Sequence, residues 1–310
     1  MRLYIAGIRG MVGSAIARHA KEIGWEVLGK GSDQLDFTDR GPVFKELKFT
    51  KPDALVIAAA KVGGIGANSS LPVDFLSINL QIQTNLLDAA HAAEIEKLLF
   101  LGSSCIYPKF APQPIPESAL LTGALEPTNE AYAIAKIAGL KLVSAYRKQF
   151  GRSWISAMPT NLYGPHDNFN LETAHVLPAL INKFDYAITH KSTNVEIWGD
   201  GSPLREFLHV NDLASACALL LDRYNEDEPI NIGSGTEISI KDLAGLIGKI
   251  TKFDGEIVFD SSKPNGTPRK LLDSTKIQSL GWNSTMSLAD GITDTYNWFK
   301  SSETRKELHK

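Results

Sequence analysis

The chain has 310 residues, of which 43% are hydrophobic, 22% are charged and two are cysteines. This length and apolar content exclude a disordered chain and allow one large domain or two moderate ones. The net charge of −3 argues against the basic stripe that nucleic-acid binding needs, so we expect no nucleic-acid partner. Cys105 and Cys217 match no zinc or haem spacing and no disulfide framework, so we expect no metal and a reducing, cytoplasmic location.

The apolar runs are too short for a membrane. Arg9 follows the apolar run at 3–6 before a signal-peptide core can form, and the run at 54–60 is far shorter than a membrane span. We therefore expect neither secretion nor membrane association.

Strands and helices alternate along the first half of the chain. Strands are predicted at 2–6, 25–28, 54–60, 98–101 and 153–157. Helices are predicted at 14–23, 44–47, 75–93 and 130–150. Because parallel neighbours need a crossover, which a helix supplies, this order predicts an α/β fold with a doubly wound parallel sheet, the Rossmann fold.

The pattern changes after Pro159. Residues 164–172 are polar and rich in turn formers, and beyond them we predict short strands at 196–198, 230–232 and 256–259 and a helix at 240–251. We predict a cofactor domain over 1–163, rejoined by about 205–222, and a smaller α/β substrate lobe mainly over 164–310. The charged segment from residue 300 onward predicts a solvent-exposed, fraying tail.

A glycine triplet lies between the first strand and the first helix. Gly7, Gly10 and Gly13 have the spacing G-x-x-G-x-x-G, and Met11 and Val12 complete the loop. Glycine lets the backbone turn tightly and approach a pyrophosphate, and the helix N-terminus offers free N–H groups to the phosphate oxygens. Alone, the triplet is also compatible with a simple tight turn; in this position it favours a dinucleotide site.

The residue that ends the second strand bears on the choice of cofactor. An NAD site commonly has Asp or Glu there, whereas this chain has Lys30. Lys30 and Arg9 offer positive charge to a 2′-phosphate, which favours NADP over NAD. Asp33 or Asp36 remains available to a ribose or to adenine.

Tyr132 and Lys136 are four residues apart on the helix predicted at 130–150, so they share one face. An ammonium beside a phenol favours the phenolate, so we expect Lys136 to lower the pKa of Tyr132. With Ser103 at the end of the preceding strand, the pattern is typical of an extended short-chain dehydrogenase/reductase.

Five segments carry a more specific resemblance, at 61–65 (KVGGI), 101–108 (LGSSCIYP), 126–130 (EPTNE), 158–168 (MPTNLYGPHDN) and 205–210 (REFLHV). Through them, from Arg2 to about Phe299, the chain resembles the GDP-L-fucose synthases, the GDP-4-keto-6-deoxy-D-mannose 3,5-epimerase/4-reductases. The resemblance implies a two-step reaction, epimerisation at C3 and C5 followed by reduction of the C4 ketone by NADPH.

The resemblance also implies the catalytic roles. Cys105 and His175 would carry the protons of epimerisation, and a thiol and an imidazole can both exchange protons near neutral pH. Ser103 and Tyr132 would hold the C4 oxygen as it gains charge, and Tyr132 would supply the final proton.

Binding roles follow from the same resemblance. The implied substrate contacts are Asn129, Asn161, Lys183, Trp198, Arg205 and Lys270. The implied cofactor contacts beyond the glycine loop are Leu101, Gly102, Ser103, Lys136, Pro159, Thr160, Asn161, Leu162 and His175. Lys183 stands where arginine occurs in the family and Asn265 where aspartate is expected, which bears on GDP recognition. The helices around 81–93 and 130–150 resemble those of the family's dimer interface and imply a homodimer.

Two other functions fit the same scaffold. An NAD(P)-dependent sugar-nucleotide 4-epimerase or 4,6-dehydratase is the nearest alternative, although a dehydratase typically has an Asp-Glu pair where this chain has Ser104 and Cys105. A catalytically silent NADP-binding regulator is the other, and it would have no need of Ser103, Tyr132 and Lys136 together.

Overall fold

A computed structural model describes residues 1–263 and 265–309. The strands are β1 (Arg2–Ala6), β2 (Glu26–Lys30), β3 (Ala54–Ile57), β4 (Lys97–Leu101), β5 (Ser153–Pro159), β6 (Asn161–Tyr163), β7 (Asn194–Trp198), β8 (Leu204–His209), β9 (Ile230–Ile232), β10 (Glu237–Ser239), β11 (Glu256–Asp260) and β12 (Arg269–Lys270). The helices are α1 (Met11–Glu22), α2 (Arg40–Thr50), α3 (Ile65–Ser70), α4 (Pro72–Ala92), α5 (Glu130–Phe150), α6 (Val176–Thr189), α7 (Val210–Arg223), α8 (Ile240–Thr251), α9 (Thr275–Ser279), α10 (Leu288–Ser301) and α11 (Glu303–Leu308).

A six-stranded parallel sheet forms the centre of the molecule, in the order β2-β1-β3-β4-β5-β9. Helices α2, α4 and α5 pack on one face and α1 and α7 on the other. The inner strands are therefore covered on both sides, which is why β3 is apolar without alternation. The doubly wound Rossmann fold expected from the sequence is confirmed.

A second group of strands lies beyond this sheet. Strand β8 pairs with β6, β10 and β12, while β7 pairs with β11. Helices α6, α8 and α10 bury a separate apolar core against β7. Helix α7 returns to the central sheet and packs on α1, whereas β8 joins the second group of strands. The domain boundaries near 163 and at 205–222 stay a prediction.

The second lobe contains two long helices that the sequence patterns did not predict, α6 and α10. Residues from 300 onward are not the fraying tail that their charge predicts. Arg305 Nε donates to the buried Asp185 Oδ2 of α6 at 2.5 Å, and a ring nitrogen of His309 lies 2.7 Å from Asn182 Oδ1. Helix α11 docks because a buried carboxylate needs a cation. Lys310 lies outside the described residues.

Candidate active site

The glycine loop begins at Gly7, which follows β1. Gly7 has a φ of +86°, a backbone conformation that residues with side chains disfavour. A Cβ on Gly13 would lie 2.1 Å from the Gly7 carbonyl oxygen, so helix α1 meets the loop where only glycine fits. The N-terminus of α1 has no side-chain cap, which leaves the N–H groups of Met11 and Val12 without partners inside the helix. This open, glycine-built cradle fits the pyrophosphate of a dinucleotide.

Both predicted cations lie at the end of β2. Lys30 Nζ pairs with Glu46 Oε2 at 2.8 Å, and Arg9 pairs with Asp33. The Arg9 side chain also lies against Gly31, whose added Cβ would be 2.9 Å from Arg9 Cδ. Positive charge is thus present beside the strand end, but each cation has a carboxylate partner.

Ser103, Tyr132 and Lys136 come together between β4 and α5. Lys136 Nζ donates to the Leu101 carbonyl oxygen at 2.9 Å and lies 5.9 Å from the centre of the Tyr132 ring. Burial lowers the pKa of Lys136 to about 8. Ser103 Oγ accepts from the Cys105 N–H at 3.2 Å.

The expected lowering of the Tyr132 pKa is wrong for this state of the protein. Burial, followed by the neighbouring charge of Cys105, raises the pKa of Tyr132, and a hydrogen bond with Ser103 only partly opposes this. Lys136 does not lower it, because its ammonium is directed to the Leu101 carbonyl. Tyr132 therefore keeps its proton at neutral pH and suits the role of a proton donor.

Cys105 lies next to two cations. Lys270 Nζ is 3.3 Å from its Sγ, and Arg205 is the register partner of Lys270 between β8 and β12. Burial tends to raise the pKa of the Cys105 thiol, but Lys270, Ser103 and Arg205 outweigh this and leave the pKa below its ordinary value. Cys105 and Lys270 also line a small cavity with the buried Oδ1 of Asn129, which has no hydrogen-bond partner among residues 1–263 and 265–309.

His175 is the residue that precedes α6. The N–H of Gly64 donates to the Thr173 carbonyl at 2.8 Å, and a Cβ on Gly64 would lie 2.3 Å from the Ala174 carbonyl oxygen. The glycine pair at 63–64 therefore supports the segment that carries His175, a role the sequence patterns did not reveal. The His175 side chain is exposed at the surface of this structure. Protein atoms nevertheless surround much of the imidazole, and this desolvation, followed by repulsion from Lys270, lowers the pKa of His175.

The end of β5 and the start of β6 are held by hydrogen bonds to backbone carbonyls. Thr160 N donates to the Ile232 carbonyl at 3.0 Å, and Asn161 Nδ2 donates to the Glu206 carbonyl at 2.8 Å. Of the other expected cofactor positions, Leu101 ends β4, Gly102 follows it, Pro159 ends β5 and Leu162 lies within β6. Gly102 lies close to Met158, because a Cβ there would lie 2.4 Å from the Met158 sulfur and the flexible methionine side chain would have to shift.

Lys183 and Trp198 form a separate group on α6 and β7. Lys183 Nζ donates to the Glu196 carbonyl at 2.8 Å and lies 5.9 Å from the Trp198 ring, which is 61% exposed. Asn265 Oδ1 accepts from the Asp200 N–H at 2.9 Å, so its side chain supports the turn after β7. An exposed aromatic ring beside a cation is suited to a nucleotide.

Comparison with known proteins assigns the chain to a family. It is 56% identical to GDP-L-fucose synthase 1 of Arabidopsis thaliana over 96% of this chain and 93% of that one. It is 48% identical to GDP-L-fucose synthase of Escherichia coli (strain K12) over 98% of each chain. Residues 3–233 match the model described as the NAD dependent epimerase/dehydratase family. The chain belongs to the GDP-L-fucose synthase branch of this family.

A solved structure agrees with this assignment. The GDP-L-fucose synthetase from Naegleria fowleri bound to NADP superposes with a TM-score of 0.90 at 29% identity, covering 100% of this chain and 96% of that one. The resemblance stated from the five sequence segments is confirmed. None of the helices in the described part of the chain is long and apolar enough to cross a membrane.

Proposed function

We propose that the chain converts GDP-4-keto-6-deoxy-D-mannose to GDP-L-fucose, with NADP as its cofactor. The observation that carries the proposal is the placement of the Cys105 thiol beside Ser103 and Tyr132. A simple reductase needs only the serine, tyrosine and lysine. A thiol with a lowered pKa at the same strand end adds a proton carrier, as an epimerase requires.

In the first step, Cys105 and His175 move protons at C3 and C5. One carrier removes a proton from carbon, and the C–H electron pair passes to the C4 oxygen to form an enolate. The other carrier returns a proton to the opposite face as the electron pair moves back to carbon. Ser103 and Tyr132 donate hydrogen bonds to the charged oxygen.

In the second step, the ketone at C4 becomes an alcohol. NADPH supplies the hydride when bound, held by the glycine loop and by Lys136. Tyr132 gives its proton to the C4 oxygen, and its raised pKa keeps that proton available at neutral pH. Lys136 is fixed one helical turn away by the Leu101 carbonyl.

Binding residues are assigned on the same basis. Arg205 and Lys270 supply charge for the diphosphate near the reacting sugar, and the buried Oδ1 of Asn129 can accept a hydrogen bond from a sugar hydroxyl. Lys183 and Trp198 supply a cation and an aromatic surface for the nucleotide. Asn161 stays a proposed contact, although its amide group is engaged with the Glu206 carbonyl.

The working form is a cytoplasmic homodimer in this proposal. The exposed Ile134 on α5 supports a role of that helix in pairing two copies. Sedimentation of the purified protein tests it, and a single species of monomer mass at assay concentration contradicts it.

The test is an absorbance assay of NADPH with the purified protein and GDP-4-keto-6-deoxy-D-mannose. We expect NADPH to be consumed in a 1:1 ratio to GDP-L-fucose, identified by NMR, and NADH to react more slowly. A 4-epimerase or a 4,6-dehydratase converts its substrate with no net consumption of NADPH. No consumption, or equal rates with NADH, contradicts the proposal.

A further inference from the structure

Lys270 contacts Cys105 from β12, a strand of two residues. The two residues of β12 pair in parallel with β8, which places Lys270 opposite Arg205. From there the Lys270 ammonium lies 3.3 Å from the Cys105 sulfur, within hydrogen-bond distance for this pair of atoms. The contact joins residues 165 positions apart in the chain.

The two cations lack a carboxylate partner of their own. Among residues 1–263 and 265–309, no carboxylate oxygen lies within ion-pair distance of Arg205 or Lys270. The acidic residue facing them is Glu126, which pairs with Lys109 at 3.0 Å. Two adjacent, half-buried cations favour an anion between them, and the group in contact with Lys270 is the thiol sulfur.

We propose that Lys270 is a positioning residue that holds Cys105 in its thiolate form before any nucleotide arrives. This inference rests on the proposed function, in which Cys105 carries a proton. It differs from the diphosphate contact that the resemblance implies, because it needs no ligand. Lys270 acts through the sulfur, and the proton itself moves between carbon and Cys105.

The surroundings of Cys105 agree with this role. Ser103 on the strand end, Arg205 on β8 and Lys270 on β12 all favour the thiolate, while burial opposes it. Tyr132 on α5 faces the thiol as a neutral phenol. Desolvation by the surrounding protein, followed by repulsion from the same Lys270 charge, lowers the pKa of His175 before α6.

The test measures the free thiol, without substrate or nucleotide. The rate of alkylation by iodoacetamide is recorded against pH, since only the thiolate sulfur attacks carbon as iodide leaves. All variants carry Cys217→Ala to remove the second thiol, which is 0% exposed and whose pKa burial raises to about 12. The comparison uses Lys270→Met, Lys270→Gln and Lys270→Arg, with Lys48→Met, at an exposed position on α2, as a matched control.

We expect the apparent pKa of alkylation to rise by about 1 in Lys270→Met and Lys270→Gln. Lys270→Arg and Lys48→Met should stay close to the parent. The NADPH affinity of each variant is measured as well, and an affinity equal to that of the parent shows that the cofactor domain is folded. Overlapping profiles for the parent and both neutral variants overturn the proposal.

Two further measurements separate the alternatives. If Lys270→Met weakens GDP binding in calorimetry and leaves the alkylation profile unchanged, Lys270 is a nucleotide ligand only and the proposal is wrong. A shifted profile in a protein that consumes no NADPH supports the contact and contradicts the proposed function. NADPH consumption with an unshifted profile contradicts the Lys270 proposal alone.

Discussion

Lys136 and Leu101 join helix α5 to strand β4 by a hydrogen bond of 2.9 Å from Nζ to the carbonyl oxygen. Ser103 lies two residues after the end of that strand, and Tyr132 lies one helical turn before Lys136. One buried ammonium therefore fixes the strand end against the helix. The relative position of Ser103 and Tyr132 depends on this bond, which a lysine with its full positive charge makes most strongly.

Gly13→Ala should weaken NADPH binding by about 10- to 100-fold, because the new methyl group would lie 2.1 Å from the Gly7 carbonyl oxygen. Fluorescence titration with NADPH measures this effect. Gly245→Ala in α8 is the control, since its Cβ meets nothing within 4 Å. It should bind NADPH normally and stabilise its helix by roughly 0.5–1 kcal/mol. Normal NADPH affinity in Gly13→Ala would show that the loop does not form the cofactor cradle.

Cys105→Ser should reduce deuterium entry at C3 and C5 by about 100-fold or more in heavy water, because a serine hydroxyl exchanges protons poorly near neutral pH. Mass spectrometry of the recovered sugar nucleotide gives the rate. Cys217→Ala, at a buried site in α7, should incorporate deuterium as the parent does. Undiminished incorporation in Cys105→Ser would remove Cys105 from the mechanism.

Arg9→Gln should lower the preference for NADPH over NADH by about 10-fold in kcat/KM, because it removes a cation beside the end of β2. Initial rates with the two cofactors give the ratio. Lys48→Gln makes the same change of charge at an exposed position on α2 and should leave the ratio unchanged. An unchanged ratio in Arg9→Gln would place the 2′-phosphate elsewhere.

Asp167 should make folding stability depend on pH. Burial raises the pKa of its carboxyl to about 7, well above its value in an unfolded chain. The folded state then holds a proton that the unfolded state loses, so the free energy of unfolding falls as pH rises from about 4 to about 7. Asp167→Asn should match the parent near pH 4 and exceed it by roughly 1–3 kcal/mol at pH 8.

Urea denaturation at several pH values measures this difference. Asp254→Asn, which changes an exposed carboxylate, provides the baseline. A constant difference between Asp167→Asn and the parent across the pH range would show that Asp167 stays ionised in the fold.

Arg305→Met should destabilise the protein by about 2–4 kcal/mol, because it removes the permanent positive charge beside the buried Asp185 and leaves that carboxylate with the Tyr296 hydroxyl and the His309 imidazole. The double variant with Asp185→Asn should recover much of this loss. Lys306→Met, which removes an exposed pair with Glu303, should change stability by less than about 0.5 kcal/mol. Equal melting temperatures for Arg305→Met and Lys306→Met would contradict the docking of α11.

The parts of the site predicted from the sequence depend on local spacing. Gly7, Gly10 and Gly13 mark a turn whose geometry excludes side chains, and Tyr132 and Lys136 share a helix face by their separation alone. The continuous apolar strands also predicted the parallel sheet, because strands that are buried on both faces have apolar residues at every position.

The remaining features depend on contacts between distant parts of the chain. Two residues of β12 show no periodicity, yet they bring Lys270 to Cys105. The docking of α11 depends on one buried carboxylate, Asp185, that a charged helix could not reveal. The pKa of Tyr132 also required the structure, since burial outweighs the effect expected from Lys136.

Because Lys270 follows Cys105 by 165 positions, the ribosome adds Cys105 to the chain well before Lys270. A chain that has left the ribosome only as far as the end of α5 already contains the thiol, but its activating cation has not yet been made. Until β12 pairs with β8, Cys105 lacks the Lys270 ammonium and retains the low reactivity of an ordinary cysteine toward oxidants. Its reactive form appears only when the second lobe has folded around it.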